Sequence, residues 1–276
     1  MKKSIVFILI ILTNVLISFA TPQRGDLIHW NDSICLLRPF PLDLWKEFDL
    51  TSEFLFGVKE KGYSTSCGRG YQAEWKIIDN ELYLIAIYSC NYFYKDDHRD
   101  SLKADLFRLF PEKYKNGIVK ADWVSGDFWL SQGKTIYYDH ARGGYVFEKE
   151  IRLTFDDGII VDIQEYNNLE KSKISIYTED PEVLQKFIYS NINWDVIPEL
   201  KDSTIKVMLS FVIRQPGKIQ EVRIEIGAGP PFDNEAKRVI SLIPEWTIYY
   251  TQGKYVAQYW NIPVVFSEEN RKKYGR

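Results

Sequence analysis

The stretch Lys206-Val207-Met208-Leu209-Ser210-Phe211-Val212-Ile213-Arg214-Gln215-Pro216-Gly217-Lys218-Ile219-Gln220-Glu221-Val222-Arg223-Ile224-Glu225-Ile226 alternates apolar and polar side chains on both sides of a central Pro-Gly. Alternation with a period of two marks a strand with one buried face, and Gln215-Pro216-Gly217-Lys218 carries turn chemistry, so the stretch predicts a β-hairpin. The register that sets Val207 against Ile226, Leu209 against Ile224 and Phe211 against Val222 gathers these apolar side chains on one face. Downstream, Ala236, Val239, Ile240 and Ile243 recur at i, i+3, i+4 and i+7. That spacing predicts a helix, with Asp233 as its N-cap and Pro244 ending the run. A last strand is predicted from Tyr255 to Phe266. Strand, strand, helix, strand in this order implies a small sandwich with the helix on one face of the sheet.

The order and the residues resemble the TonB C-terminal domain family, in its form from Gram-negative bacteria such as Bacteroidetes. The likeness is carried by Val207 to Ile213, Gly217-Lys218-Ile219, Val222-Arg223-Ile224, Asp233 to Ile240, Ile243-Pro244-Glu245-Trp246, Gly253-Lys254-Tyr255-Val256 and Ile262 to Phe266. It spans roughly Pro198 to Ser267. The resemblance implies a fold that pairs an exposed edge strand with an extended peptide, as the family does with the TonB box of outer-membrane receptors. Such β-augmentation needs unpaired backbone groups rather than catalytic residues. By this analogy the binding strand is the last one, with Tyr255, Ala257, Tyr259 and Asn261 on one face and Gln258 and Trp260 on the other. The chain departs from energy-transducing members of the family in having no long Pro-rich segment and an N-terminal signal that looks cleavable. The resemblance therefore favours protein or peptide binding in the cell envelope over force transfer.

Upstream of the hairpin, Pro181 opens a predicted helix between Glu179 and Trp194, with Val183, Leu184, Phe187 and Ile188 on its apolar side. From about Asp26 to Tyr177, short alternating runs separated by Gly, Asp and Asn predict a mainly antiparallel β domain. Its clearest unit is Ile151 to Ile163. A three-residue turn at Asp156-Asp157-Gly158 would pair Phe155 with Ile159, Leu153 with Val161 and Ile151 with Ile163. Asp127 to Leu130 and Thr135 to Tyr138 read as two strands joined by Ser131-Gln132-Gly133-Lys134, and Tyr145 to Lys149 as a third. Ser101 to Phe110 reads as a helix stopped by Pro111. The expected fold class is α+β: a mainly β domain over 21–178, then the ββαβ sandwich and its leading helix over 179–276.

Residues 1–20 read as an export signal: Met1-Lys2-Lys3 is cationic, Ile5 to Leu12 is apolar, and Ser18-Phe19-Ala20 offers small residues before a cleavage at Thr21. No later run is long enough to span a bilayer. The expected location is periplasmic or otherwise exported. The whole chain carries 35 basic and 38 acidic residues. That balance argues against nucleic acid as a partner. In an exported chain, three cysteines allow one intramolecular bridge. Ala73, Trp75, Ile77 and Leu82, Leu84, Ala86 alternate about Asp79-Asn80, a hairpin with a two-residue turn. Its register places Cys90 opposite Arg69, two residues from Cys67, and a bulge at Gly68 or Gly70 would bring the two cysteines together. Cys67 with Cys90 is the expected disulfide, leaving Cys35 unpaired.

The enzyme readings are weaker. His29, His98 and His140 stand in no nucleophile or metal motif. Asp96-Asp97-His98-Arg99-Asp100 reads as a solvated charge run rather than a cation site. Ser66-Cys67-Gly68-Arg69-Gly70 could form a nucleophile loop with His140 as base, but the disulfide gives Cys67 a better use. Neither a cofactor, a metal nor a catalytic residue is expected. The alternative function is an exported hydrolase with its site in the β domain.

Overall fold

The computed structural model describes residues 23–47, 50–57, 65–90, 102–139 and 144–275. The signal segment, the Asp96 to Asp100 run and His140 lie outside the described residues. The first half comprises β1 (Asp26–Trp30), β2 (Ser33–Arg38), α1 (Ser52–Phe56), β3 (Tyr71–Ile78), β4 (Glu81–Ser89), α2 (Leu106–Leu109), β5 (Tyr114–Lys115), β6 (Ile118–Lys120), β7 (Gly126–Asp139), β8 (Gly144–Asp156) and β9 (Ile159–Asn167). Three helices follow, α3 (Asn168–Lys171), α4 (Ile176–Glu179) and α5 (Pro181–Ser190). The C-terminal part holds β10 (Ile205–Ile213), β11 (Gln220–Ile226), α6 (Pro230–Ser241), β12 (Tyr250–Thr251), β13 (Lys254–Tyr255), β14 (Gln258–Phe266) and α7 (Glu268–Tyr274). The class is α+β with sheets dominant.

The first sheet nearly closes on itself. Its order is β3-β1-β2-β7-β8-β9-β4, and β4 pairs back onto β3, while β5 and β6 extend it from β4. All its pairings are antiparallel except β1 with β3. The seam between β9 and β4 is short: Glu81 pairs with Ile159, Leu82 N–H donates to Gly158 O at 2.8 Å and Ile160 N–H to Asn80 O at 2.9 Å. One core fills the ring, built from Ile28, Leu37, Trp75, Leu84, Phe128, Leu153 and Phe155. Closure removes most of the exposed edges that an open sheet of this width would carry.

The β3–β4 hairpin turns at Asp79 and Asn80, both in the left-handed region with φ of 49° and 70°. Its register is as expected from Ile78↔Glu81 back to Trp75↔Leu84, but a bulge between Leu84 and Ala86 shifts the rest by one. Cys90 therefore donates its N–H to Gly70 O at 3.1 Å instead of facing Arg69. The bulge sits at Ile85, not at Gly68 or Gly70, and the Cys67–Cys90 disulfide forms. Cys35 is free and buried.

Several expectations are corrected. The β8–β9 turn has two residues, Asp157 and Gly158 (φ 46° and 77°), so Asp156 pairs with Ile159 and Phe155 with Ile160. A bulge between Thr154 and Phe155 then sets Leu153 against Ile163. The three-residue turn assumed that Ile159, Val161 and Ile163 are all core, yet each is exposed. Residues 126–139 form one strand, not two: Gly133 (φ 79°) lies where the register shifts, and β8 pairs along the whole length. The helix predicted over Ser101 to Phe110 shrinks to α2, because Ala104 N–H donates to Ile87 O and Lys103 bridges to Tyr88, drawing this segment alongside β4. Asp105 caps the remainder, accepting from Phe107 and Arg108 N–H.

Beside the disulfide, Asp26 is fully buried. Its carboxylate accepts from Arg69 at 2.8 Å, Trp75 Nε1 at 3.0 Å and the Ala73 N–H at 3.2 Å. The Arg69 guanidinium lies over Phe40, 3.4 Å from the ring centroid, and over Tyr71. Burial pushes the Tyr71 phenol up to about 12.

The second sheet has the order β11-β10-β14. At the middle of β10 and β11 the expected register holds, Leu209 pairing with Ile224, but shifts on both sides move Met208 onto Ile226 and Val212 onto Gln220. Val207 therefore does not face Ile226. In α6, Ala236, Val239 and Ile240 are fully buried, as the spacing predicts; Ile243 is nearly buried too, but it lies beyond the helix, which ends at Ser241 rather than at Pro244. The helix begins earlier than expected, after Gly229 (φ 108°) and with Pro230 in its first turn, where a missing N–H costs nothing. Asp233 is thus not the N-cap; its carboxylate accepts the N–H groups of Ala228 and Gly229. No helix among the described residues is long and apolar enough to cross a membrane.

Candidate peptide-binding edge

The last strand lies at one edge of the second sheet, but it starts later than expected. Tyr255 belongs to a separate ribbon, pairing with Tyr250, and Val256 donates its N–H to Tyr249 O. Ala257 lies outside the strand. Tyr255 and Ala257 are therefore removed from the edge, and β14 runs from Gln258, opposite Ile213, to Phe266, opposite Ile205.

Which backbone groups face outward follows from the far end of the strand. Val265 donates its N–H to the Tyr189 hydroxyl at 3.3 Å, and its carbonyl accepts Asn270 Nδ2 at 2.9 Å. Both groups therefore point away from β10. In an antiparallel ladder the N–H and C=O of one residue share a side and alternate along the chain. Trp260, Ile262 and Val264 accordingly bond to β10, while Tyr259, Asn261, Pro263 and Val265 face outward. Pro263 has no N–H and sits where none is needed. Val265 is already engaged. Among the described residues nothing pairs with the outward backbone groups of Tyr259 and Asn261.

The side chains divide as the alternation demands. Gln258, Ile262, Val264 and Phe266 are buried and Trp260 half-buried, on the face that carries Val207, Leu209 and Phe211. Tyr259, 72% exposed, and Asn261 lie on the opposite face. Trp260 meets Trp246 edge-on at 5.3 Å, and its buried Nε1 has no acceptor among the described residues. A buried donor left open costs about 1–3 kcal/mol.

The barrel reaches the start of this strand. Tyr137 of β7 stacks on Tyr249, with centroids 4.1 Å apart, and its phenol hydrogen-bonds with the Gln258 side chain. Burial raises the Tyr137 and Tyr249 phenols above their ordinary range. Sequence reasoning missed Tyr137, because nothing local ties a residue in one hairpin to a turn more than a hundred positions away. His29 contacts Glu74 at 2.6 Å across β1 and β3. Among the described residues no group of His, Cys, Asp and Glu could hold a metal ion.

Comparison of the chain with known protein families, curated proteins and solved structures gives no match.

Proposed function

We propose that the C-terminal segment is a binding module of the cell envelope that takes up an extended peptide as an added strand along β14. The observation that carries this reading is the pair of outward, unpartnered backbone positions at Tyr259 and Asn261 on an exposed edge. Sheet edges of this kind are templates for β-augmentation. The strand, strand, helix, strand order is the one the TonB C-terminal domain resemblance implies, and on that resemblance the partner class is the N-terminal segment of an outer-membrane receptor. The Cys67–Cys90 disulfide fits an oxidising compartment outside the cytoplasm.

The edge also limits the affinity. Tyr259 and Asn261 each offer one N–H and one C=O, and Pro263 a C=O only, so an added strand makes about five backbone bonds. At about 0.5–1.5 kcal/mol each, these supply roughly 3–7 kcal/mol before the cost of ordering the peptide. That corresponds to dissociation constants no tighter than about 10 μM unless side chains contribute.

The test is a titration of the isotope-labelled full chain with peptides of receptor N-terminal sequence, following backbone amides. Shifts and slowed exchange centred on Tyr259 and Asn261 are expected. Tyr259→Pro removes an outward N–H and should weaken binding more than Tyr259→Ala, which keeps it. Absence of any response in β14, or binding that maps elsewhere, refutes the reading.

A further inference from the structure

A second open edge lies on the barrel, on β9 rather than β14. β9 meets β4 only at its start, where Glu81 pairs with Ile159, and from there it runs on past the Asp79-Asn80 turn. Ile160 donates its N–H to Asn80 O at 2.9 Å, and its carbonyl accepts Asn80 Nδ2 at 2.8 Å. Its backbone groups therefore point away from β8, so Ile160 and Phe155 are a pair without mutual hydrogen bonds. Bonded and unbonded pairs alternate along an antiparallel ladder, so Thr154, Arg152 and Glu150 are the residues of β8 that bond to β9. Val161 is the extra residue of the bulge, which makes their partners Asp162, Gln164 and Tyr166. Ile163 and Glu165 accordingly face outward. Among the described residues nothing pairs with the backbone groups of either.

The side chains along this edge say what suits it. Ile163 and Glu165 sit opposite Leu153 and Ile151, both buried, yet are themselves exposed, as is Val161. A neighbouring strand would cover Ile163 with an aliphatic residue and place its next residue on the same face beside Glu165. From Ile159 to Asn167 the strand carries Asp162 and Glu165 and no basic residue. Asp162 is matched by Arg152 at 2.8 Å. Glu165 makes no ion pair among the described residues; Lys149, its diagonal neighbour, belongs to β8, on the side away from the open edge. A charge on an edge strand deters pairing with strands that cannot answer it and favours one that can. An antiparallel second copy of β9 cannot: it sets Glu165 against Glu165 or against Ile163, and the register that opposes the two Ile163 residues runs into Asn80.

We propose that the β9 edge takes up an extended segment of a partner protein with an aliphatic and a basic side chain two residues apart, lying beside Ile163 and Glu165. The test is a titration of the isotope-labelled full chain, at low salt, with the peptide acetyl-Thr-Lys-Thr-Val-Thr-Lys-Thr-amide and with its counterpart bearing Glu in place of both Lys. The first should shift the amides of Ile163 and Glu165 and slow their exchange, and should bind about three- to tenfold tighter than the second. Glu165→Lys, a change at an exposed side chain, should leave the melting temperature unaltered and reverse that preference. No response in β9 at about 5 mM peptide overturns the proposal, as does equal binding of the two peptides or an unreversed preference in folded Glu165→Lys. Shifts confined to Tyr259 and Asn261 also overturn it, while leaving the reading of β14 intact. Protection of Ile163 that rises with protein concentration alone would give the edge to a second copy and overturn it too.

Discussion

Exchanging Tyr189 for phenylalanine removes the hydroxyl that accepts the Val265 N–H while leaving the ring in the core, so it tests the direction of β14 at a single amide. In the unaltered chain, the amides of Trp260, Ile262 and Val264 bond to β10 and exchange only when the sheet opens. Those of Tyr259 and Asn261 face solvent and exchange near the free rate. An opening free energy of about 4 kcal/mol separates the two groups by about a thousandfold. Val265 lies between them, protected by one bond of 3.3 Å. Losing a bond worth about 0.5–1.5 kcal/mol speeds its exchange roughly 2- to 13-fold. Val264 and Phe266, bonded to the other side, should keep their rates, and any general loss of stability would move all of them together. Hydrogen exchange followed by nuclear magnetic resonance reads each amide. Protection of Asn261 as strong as that of Trp260, or a Val265 rate that does not change relative to Val264, would refute the assignment of the outward edge and the binding reading built on it.

Asp26→Ala strands the Arg69 charge and the Trp75 indole N–H in the core and should cost about 3–5 kcal/mol by urea denaturation, whereas adding Arg69→Met should recover part of the loss. A double variant as unstable as the sum of the singles would show that the two groups do not act as a pair. Gly158→Ala places a Cβ 2.5 Å from Ala121 O at φ 77°, while Gly217→Ala, at φ 75°, meets nothing within 4 Å. The first should cost about 2–4 kcal/mol and the second about 1 kcal/mol, so equal midpoints would rule out the contact. Tyr71 stays protonated up to about 12 in the folded chain but ionises near 10 when unfolded. Its contribution is complete below pH 10 and is lost as pH rises through 12, about 1.4 kcal/mol per unit over that window. Tyr71→Phe should flatten this fall, and an unchanged slope would place its cause elsewhere.

Where structure depends on neighbours in sequence, the chain is readable. The Asp79-Asn80 turn, the α5 helix and the buried stripe of α6 follow from local periodicity and turn chemistry; the Cys67–Cys90 bridge forms, but through a bulge at Ile85 rather than at Gly68 or Gly70. Bulges are where the reading slips. A single extra residue at Ile85, and the shift beside Phe155, move a register by one, and no propensity marks which residue will bulge. The β8–β9 turn is misread because Ile159, Val161 and Ile163 look like core residues, yet all three side chains are exposed, even that of Ile159 in the short seam with β4. Closure of the barrel was not legible at all: the parallel β1–β3 pair and the β4–β9 seam join segments distant in sequence. The candidate edge was half legible. Alternation gave the strand and its two faces, but its start depends on the β12–β13 ribbon, and its outward parity only on Tyr189 and Asn270.

These contacts give the binding window two ends supplied by different parts of the chain. At one end the barrel holds Gln258 through Tyr137. At the other, Tyr189 and Asn270 occupy Val265, and Pro263 offers no N–H. Tyr189 belongs to α5, and the segment before it is tied to the same unit: Lys173 and Ile248 exchange backbone hydrogen bonds, Ser175 N–H donates to Thr247 Oγ1, and Tyr250 N–H donates to Ser172 Oγ. A boundary between residues 178 and 179 therefore runs through contacts rather than through a linker. A fragment that starts near Asn193 lacks Tyr189 as well as the barrel, so it presents Val265 as a third outward N–H and releases Gln258. Such a fragment would offer a longer and less selective edge than the full chain. The barrel and α5 thus confine the open stretch of β14 to Tyr259 and Asn261, and under the proposed binding this would set the register of an added strand.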